Sequence, residues 1–179
     1  MVAFVSAFLG AASKIGLDYW TRINESRSTA AMLAAEIDAT LSIARQRKYS
    51  ELTYLLIKKL DNNENIRFVD FINNPESLDL AYRASVSGFK LGLVGPELAG
   101  LVTKFFRQLY GLIGDMKRFG DAGTTLSISE KKIYLEESLR IWEEAERDGV
   151  QAIAGLRALS RRETFRHFIE DAKRPFRGR

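Results

Sequence analysis

The chain has 179 residues, 46% hydrophobic and 28% charged, which is an ordinary composition for one folded domain. It contains no cysteine, which excludes a disulfide framework, a cysteine zinc site and a thiol nucleophile. The net charge of +4 is uneven: from Arg157 onward there are eight Lys/Arg against three Asp/Glu, so the basic character belongs to the C-terminal tail.

The first twenty residues form the most apolar part of the chain. The run Val2–Ser13 carries no charge, the aromatic residues Tyr19 and Trp20 follow it, and Arg22 begins a basic flank. This order of apolar run, aromatic collar and basic flank is typical of a segment tethered to lipid. A bilayer span needs about 20 helical residues, which is more than the uncharged run provides. A crossing helix would therefore extend beyond Ser13 and include the charged residues Lys14 and Asp18.

We therefore predict that residues 1–21 form a membrane-anchor helix that crosses the bilayer once. The anchor side chains are Phe4, Val5, Phe8, Leu9, Ile15, Tyr19 and Trp20. Because Lys and Arg follow the apolar run, the positive-inside rule places the C-terminal body in the cytoplasm. Two alternatives stay open: a helix lying in the membrane interface, and a core helix of a soluble cytoplasmic protein.

Apolar residues at spacings of three and four predict helices in the body, residues 22–160. The first helix continues past the anchor to a break near Arg47, and Ser50 is the expected N-cap of the second. The apolar stripes of these two helices comprise Ile23, Ala30, Leu33, Ile37, Leu41 and Ala44, then Leu52, Leu55, Leu56 and Leu60. Residues 66–72 favour a short helix over a lone strand.

Proline and glycine mark the helix ends in the middle of the chain. Asn74 and Pro75 begin one helix, Gly92 and Gly95 are expected in left-handed conformations that end it, and Pro96 begins the next. The expected apolar stripes of these two helices comprise Leu78, Ala81, Tyr82, Ser85 and Phe89, then Leu98, Leu101, Val102, Phe105, Leu109, Leu112, Ile113 and Met116.

The last long helix has the clearest start signal. Ser127 and Glu130 form a capping box, and Gly149 and Gly155 are expected weak points within the helix. Its buried stripe comprises Ile133, Leu139, Trp142, Ala145, Ile153, Leu156 and Leu159. The whole pattern predicts an all-α fold, an antiparallel bundle of about five or six helices with an N-terminal anchor helix.

The stretch Lys90–Leu112 resembles a family of small, uncharacterised bacterial helical proteins with an N-terminal membrane anchor. The resemblance is strongest at the Leu-Gly-Leu-Val-Gly-Pro-Glu-Leu turn, Leu91–Leu98, and extends to Leu33–Ile37, Arg47–Tyr49 and Phe105–Phe106. It implies a membrane-associated helical fold at the bacterial inner membrane, and it implies no activity.

The sequence offers little for catalysis. His167 is the only histidine, and no phosphate-binding, dinucleotide or nucleophile-elbow motif is present. The glutamates near Glu137 and Glu144 alternate with Lys131, Lys132, Arg140 and Arg147, as on a solvated helix face. We predict no enzymatic activity and no cofactor or metal.

The C-terminal segment, residues 161–179, is basic and amphipathic. Such a segment favours an anionic membrane surface. The residues assigned to that contact are Arg161, Arg162, Phe165, Arg166, Phe168, Lys173 and Arg174. A helix docked on the bundle and a nucleic-acid contact are the alternatives.

The predicted function is thus a non-catalytic, membrane-tethered interaction or scaffold module. The expected partners are anionic lipid headgroups, an unspecified protein and a second copy of the chain; nucleic acid is the weaker expectation. The alternatives are a soluble bundle that binds a protein or nucleic acid through its tail, and a bundle that holds a lipid or other apolar ligand between its helices.

Overall fold

The computed structural model of the protein describes residues 2–64, 66, 80–122 and 126–161, without the side chains of residues 2–12, 81 and 120–122. Regular structure in these ranges is entirely helical, which confirms the predicted all-α class. They contain five α-helices: α1 (Val2–Gln46), α2 (Tyr49–Asp61), α3 (Leu80–Ser87), α4 (Pro96–Ala122) and α5 (Ile128–Arg161). One turn of 3-10 helix, Leu91–Val94, connects α3 to α4. The helix start predicted at Asn74 and Pro75 lies outside the described residues.

Helix α5 runs antiparallel to α1. Arg45 near the end of α1 places its Nε 2.7 Å from Glu146 Oε1 in the middle of α5. Earlier in α1, Arg27 Nε donates a hydrogen bond of 3.0 Å to the carbonyl of Ser160 at the end of α5. The opposed order of these contacts fixes the relative direction of the two helices.

Helix α4 also runs antiparallel to α5. Lys104 near its start contacts Asp148, with 2.8 Å between Nζ and Oδ2. Phe119 near its end packs edge-on against Tyr134, with ring centroids 5.9 Å apart. Helix α5 therefore lies between α1 and α4, and both cover its apolar face.

The core lies where these three helices meet. Its largest fully buried side chains are Phe105, Phe106, Leu33, Ile37, Leu41, Leu156 and Val102. Tyr82 of α3 stacks on Phe106 at a centroid distance of 4.3 Å and so covers one side of this core. The apolar stripes predicted for the second half of α1 and for α4 are confirmed by this burial.

The join between α1 and α2 differs from the prediction. Lys48, in a left-handed conformation at φ 53, stands at the N-cap of α2 with no side-chain hydrogen bond, so Ser50 lies inside the first turn. The buried residues of α2 are Thr53, Ile57 and Leu60. Leu52 and Leu55 are exposed because α2 packs on α5 along one narrow stripe.

Two further predictions are corrected by the backbone and by the packing. Gly95 has the left-handed conformation expected of it, at φ 89, but Gly92 lies in the 3-10 turn without a positive φ. Ile133, predicted to be buried, is 64% exposed. In this first part of α5 the apolar side chains that pack with those of α2 include Leu135 and Leu139, and Ile133 is not among them.

The predicted capping box at the start of α5 is confirmed. The backbone N–H of Ser127 donates to Glu130 Oε2 at 2.8 Å, and the N–H of Glu130 donates to Ser127 Oγ at 3.3 Å. These reciprocal bonds satisfy N–H groups that the first turn of a helix leaves without intrahelical partners. The Ser127 hydroxyl donates to the same Glu130 Oε2 at 2.7 Å, and this bond and the one from the Ser127 N–H lower the pKa of the Glu130 carboxyl, because both stabilise its ionised form.

Gly149 is a packing position of α5, which corrects its prediction as a weak point. The helix is continuous through Gly149 and Gly155. A Cβ built at Gly149 would lie 3.0 Å from the ring of Phe105 and 3.2 Å from Leu41 Cδ1. The missing side chain lets α1, α4 and α5 approach one another closely.

We expect Gly149→Ala to lower the free energy of unfolding by about 1 kcal/mol. Alanine gains about 1 kcal/mol in helix propensity, but overpacking a buried contact costs about 1–3 kcal/mol. Gly111→Ala on α4 is the matched control, since its Cβ would meet no atom within 4 Å and the propensity gain stands alone. Urea unfolding of both variants tests the contrast, and a stabilised Gly149→Ala would contradict it.

Candidate membrane-facing end

The first half of α1 is a single helix with large exposed apolar side chains. From Ser13 to Ser28 every residue is exposed or half-buried, and burial begins only at Thr29. Ile15 is 70% exposed, Leu17 65% and Trp20 54%. Burying such a side chain is worth about 1.5–3 kcal/mol, and this segment leaves three of them in contact with water.

This exposed segment of α1, residues 13–25, is amphipathic. Lys14, Asp18 and Arg22 follow one another at spacings of four, so they lie on one charged face. Ile15 and Tyr19 form the neighbouring apolar stripe at the same spacing. A helix with one charged and one apolar face suits the boundary between water and acyl chains.

Three polar contacts mark the level at which α1 enters the packed body. Ser26 Oγ donates to the carbonyl of Leu93 at 2.8 Å. Glu25 Oε1 lies 3.7 Å from Lys90 Nζ, and the adjacent Arg27 bonds to the carbonyl of Ser160. The 3-10 turn, the start of α4 and the end of α5 therefore lie at the same end of the body, which we call the α1-entry end.

Helix α3 is directed toward this end. The backbone N–H of Tyr82, early in α3, donates at 2.9 Å to Glu36 in the middle of α1. Lys90, just after α3, reaches Glu25, eleven residues earlier in α1. The loop that follows α3 thus comes to the α1-entry end, with Phe89 at 91% exposure in it. The prediction that Phe89 belongs to the apolar stripe of a helix is wrong, because α3 ends at Ser87 and Phe89 follows it.

The structure places part of the predicted anchor and tail. Ile15 and Trp20 are exposed, Tyr19 is half-buried, and Arg161 is exposed at the end of α5. Outside the residues with described side chains lie Phe4, Val5, Phe8, Leu9, Arg162, Phe165, Arg166, Phe168, Lys173 and Arg174, together with His167. Arg161, the first residue of the basic tail, and the exposed segment of α1 lie at the same end. Sequence reasoning did not identify Phe89 as an exposed aromatic residue at this end. The signal available for it was a glycine beside an aromatic residue at the end of a helix.

The glutamates of α5 lie on a solvated face, as predicted. Arg140 bridges Glu137 and Glu144, with 2.7 Å between its Nη1 and Glu144 Oε1. Its hydrogen bond holds the pKa of Glu137 below the usual range. Lys131 departs from the prediction: it is 3% exposed and donates from Nζ to the carbonyl of Ile66 at 3.4 Å. In the described ranges, no group of three or more His, Asp or Glu is arranged to hold a metal.

Hollows also occur in the described structure, and two of them lie on the helical body. A shallow one of about 490 Å³ runs along a single face of α4. The other, of about 200 Å³, is smaller than the roughly 300–1,000 Å³ typical of ligand pockets. It is lined by Ala44, Arg45, Lys48, Tyr49, Ser50, Glu51, Trp142 and Glu146. Tyr49 and Trp142 meet there edge-on with ring centroids 5.3 Å apart.

Tyr49, which lines the smaller hollow, makes the stability of the fold depend on pH. Burial raises its pKa to about 12, a hydrogen bond with Thr53 opposes the shift, and the charge of Asp115 adds to it. Between pH 10 and 12 the unfolded chain loses the phenol proton while the folded chain keeps it. Stability therefore falls as pH rises through this window and is unaffected by Tyr49 below it.

We expect this effect to reach about 2 kcal/mol at pH 12. The measurement is urea unfolding of the natural chain and of Tyr49→Phe at pH 9, 10, 11 and 12. The difference between the two proteins should stay constant up to pH 10 and then shift in favour of Tyr49→Phe. A constant difference through pH 12 would show that the Tyr49 hydroxyl titrates normally.

Comparison with protein-family models, with curated proteins and with solved structures found no match. The family resemblance at Leu91–Leu98 therefore stays a prediction. Among the residues with described side chains, none of the helices has an apolar stretch of the length that a bilayer crossing requires. The apolar run Val2–Ala12 is outside that set, so the predicted anchor is untested in its most apolar part.

Proposed function

We propose that this protein is a non-catalytic helical interaction module held at an anionic membrane surface by the first part of α1. The body is an antiparallel helical bundle, and its α1-entry end faces the lipid. The location proposed is the cytoplasmic face of a bacterial inner membrane, in line with the resemblance at Leu91–Leu98. The partner bound by the remainder of the body is another protein or a second copy of the chain.

One observation carries this proposal: α1 is well buried along its second half and exposes large apolar side chains along its first half. Leu33 and Ile37 are fully enclosed, whereas Ile15 and Leu17 are about two-thirds exposed on the same helix. The uncharged run Val2–Ser13 extends the apolar character toward the start of the chain. A lipid surface would cover this segment without requiring a shaped partner.

Charge supports the choice of an anionic surface. The exposed Arg161 lies at the α1-entry end and leads into a segment with a local excess of basic residues. Each Lys or Arg close to an anionic leaflet contributes about 1 kcal/mol to binding. An apolar helix and a basic tail together provide the two signals that stable membrane attachment needs.

Co-sedimentation with vesicles tests the proposal. The full-length chain is mixed with vesicles of neutral lipid alone and with vesicles that contain anionic lipid. We expect binding that is stronger to the anionic vesicles and that falls about tenfold or more in the triple variant Ile15→Ser, Leu17→Ser, Trp20→Ser. The matched control is Tyr54→Ser, Leu55→Ser, Ile133→Ser, which removes three similarly exposed apolar residues from α2 and from the start of α5.

Two results would overturn the proposal. One is a natural chain that stays in the supernatant with every vesicle composition. The other is an equal loss of binding in the control triple variant, which would indicate nonspecific adhesion. Tryptophan emission adds an independent readout: Trp142→Phe leaves Trp20 as the only tryptophan, and its emission should shift to shorter wavelength when vesicles are added.

A further inference from the structure

Phe89 combines a rare backbone conformation with an exposed aromatic ring. Its φ is 54, in the left-handed region that non-glycine residues seldom adopt. Its side chain is 91% exposed, the highest value among the exposed large apolar residues whose side chains the structure describes. Burial of the ring within the chain therefore does not compensate for the conformational strain.

The strain arises because Phe89 occupies a helix-ending position that usually belongs to glycine. The N–H of Lys90 bonds to the carbonyl of Ser85 at 2.8 Å, and the N–H of Phe89 bonds to that of Val86 at 3.1 Å. These two bonds define a Schellman motif, in which the left-handed residue is commonly glycine. The chain does have a glycine next to this position, but Gly88 lies one residue before the left-handed position, which Phe89 occupies.

Phe89 lies at the level of α1 where the exposed segment, residues 13–25, ends. Lys90, next to Phe89, pairs with Glu25, only five residues along α1 from Trp20. Five residues correspond to about 8 Å of helix rise. Val86, 46% exposed, lies one helical turn before Phe89 and is a further exposed apolar side chain near the end of α3.

The charged groups around this turn are of both signs, with a basic majority. Lys90 is part of the turn, Arg83 lies about one helical turn before it in α3, and Arg161 ends α5 at the same end of the body. The nearby acidic groups are Glu25, which pairs with Lys90, and Glu97 in the first turn of α4. This balance suits an anionic surface better than a neutral or basic one.

We propose that the turn Ser87–Lys90 is a second lipid contact, in which the ring of Phe89 inserts at the boundary between headgroups and acyl chains. This inference rests on the proposed function. The exposed segment of α1 supplies one contact and Phe89 supplies another from a different element, so the two fix the orientation of the body on the membrane. A flat, deformable lipid surface reaches both elements at once, whereas a protein partner would need a surface shaped to each.

The test uses a substitution whose effects on folding and on lipid binding have opposite signs. Phe89→Gly removes the ring and relieves the strain, so the thermal unfolding midpoint should stay unchanged or rise. Binding to anionic vesicles should weaken about tenfold. Phe89→Leu keeps an apolar side chain and should retain most of the binding. Ile133→Ala, at the other end of α5, is the matched control and should bind like the natural chain.

A fluorescent probe reports insertion directly. Because the chain has no cysteine, Phe89→Cys gives a single site for an environment-sensitive label. Its emission should shift to shorter wavelength with anionic vesicles, and the same label at Ile133→Cys should not respond. Equal responses at the two sites would overturn the proposed orientation.

The outcomes separate this inference from the proposed function. If the natural chain binds vesicles and Phe89→Gly binds equally well, the second contact is wrong and the tether by α1 stands. If the natural chain binds no vesicles, both proposals fall. If, without lipid, the natural chain sediments as a dimer and Phe89→Gly as a monomer, the ring is covered by a second copy of the chain and the lipid contact is overturned.

Discussion

Replacing Phe105 by alanine is expected to lower the free energy of unfolding by about 3–5 kcal/mol, the range for truncating a buried phenylalanine. The ring is fully buried and lies edge-on to Phe106, with centroids 5.1 Å apart. It also rests against Gly149, where no side chain is available to fill the space it would leave. Such a loss is a large fraction of the 5–15 kcal/mol that stabilises a typical domain.

Urea unfolding measures this change, and Tyr110→Ala on α4 provides the control. Tyr110 is 38% exposed and its truncation should cost much less than that of Phe105. Gly149→Ala in the Phe105→Ala background is a second check. Most of its packing penalty should disappear with the ring, so the two substitutions should be non-additive. A loss below about 1.5 kcal/mol for Phe105→Ala would show that the three-helix core collapses onto the vacated space.

Trp142→Ala is expected to have the second large effect, a loss of about 3–5 kcal/mol. Trp142 is 4% exposed and packs its ring edge-on against Tyr49 at the join of α1 and α2. Its removal therefore loosens the contact of α5 with both of those helices. Trp142→Phe keeps an aromatic ring and should lose clearly less.

The same substitution should change the titration of Tyr49. Desolvation is the main cause of its raised pKa of about 12, and Trp142 lines the same hollow. Water admitted by Trp142→Ala should move this pKa down toward 10. Ultraviolet absorbance of tyrosinate, with Tyr49→Phe subtracted to isolate one of the six tyrosines, measures the shift. An unchanged pKa would show that the protein elements other than Trp142 exclude water from Tyr49.

In the two proposals, one group of residues stabilises the fold and a different group contacts the membrane. The core residues Phe105 and Trp142 determine whether the chain folds. Ile15, Trp20 and Phe89 contribute exposed apolar surface that the fold itself does not use. Variants of the second group should therefore change vesicle binding while leaving urea unfolding nearly unaltered.

The sequence determined the features that depend on neighbours close along the chain. Helical class followed from apolar spacing, the start of α4 from Pro96, and the start of α5 from the Ser127 and Glu130 capping box. These features are local, because a cap or a helical stripe involves residues within about four positions of one another. The apolar start of α1 was also evident, but spacing alone could not separate a buried stripe from an exposed one.

Only the tertiary structure decided which apolar faces find a partner. Leu55 and Ile133 satisfy the same spacing rule as Leu33 yet remain exposed, because α2 and the start of α5 are covered on one side only. Gly149, expected to be a weak point, is a packing position because the ring of Phe105 lies against it. The meeting of the exposed segment of α1, the Phe89 turn and Arg161 at one end likewise depends on the antiparallel course of α5, because residues far apart in sequence are brought together by packing.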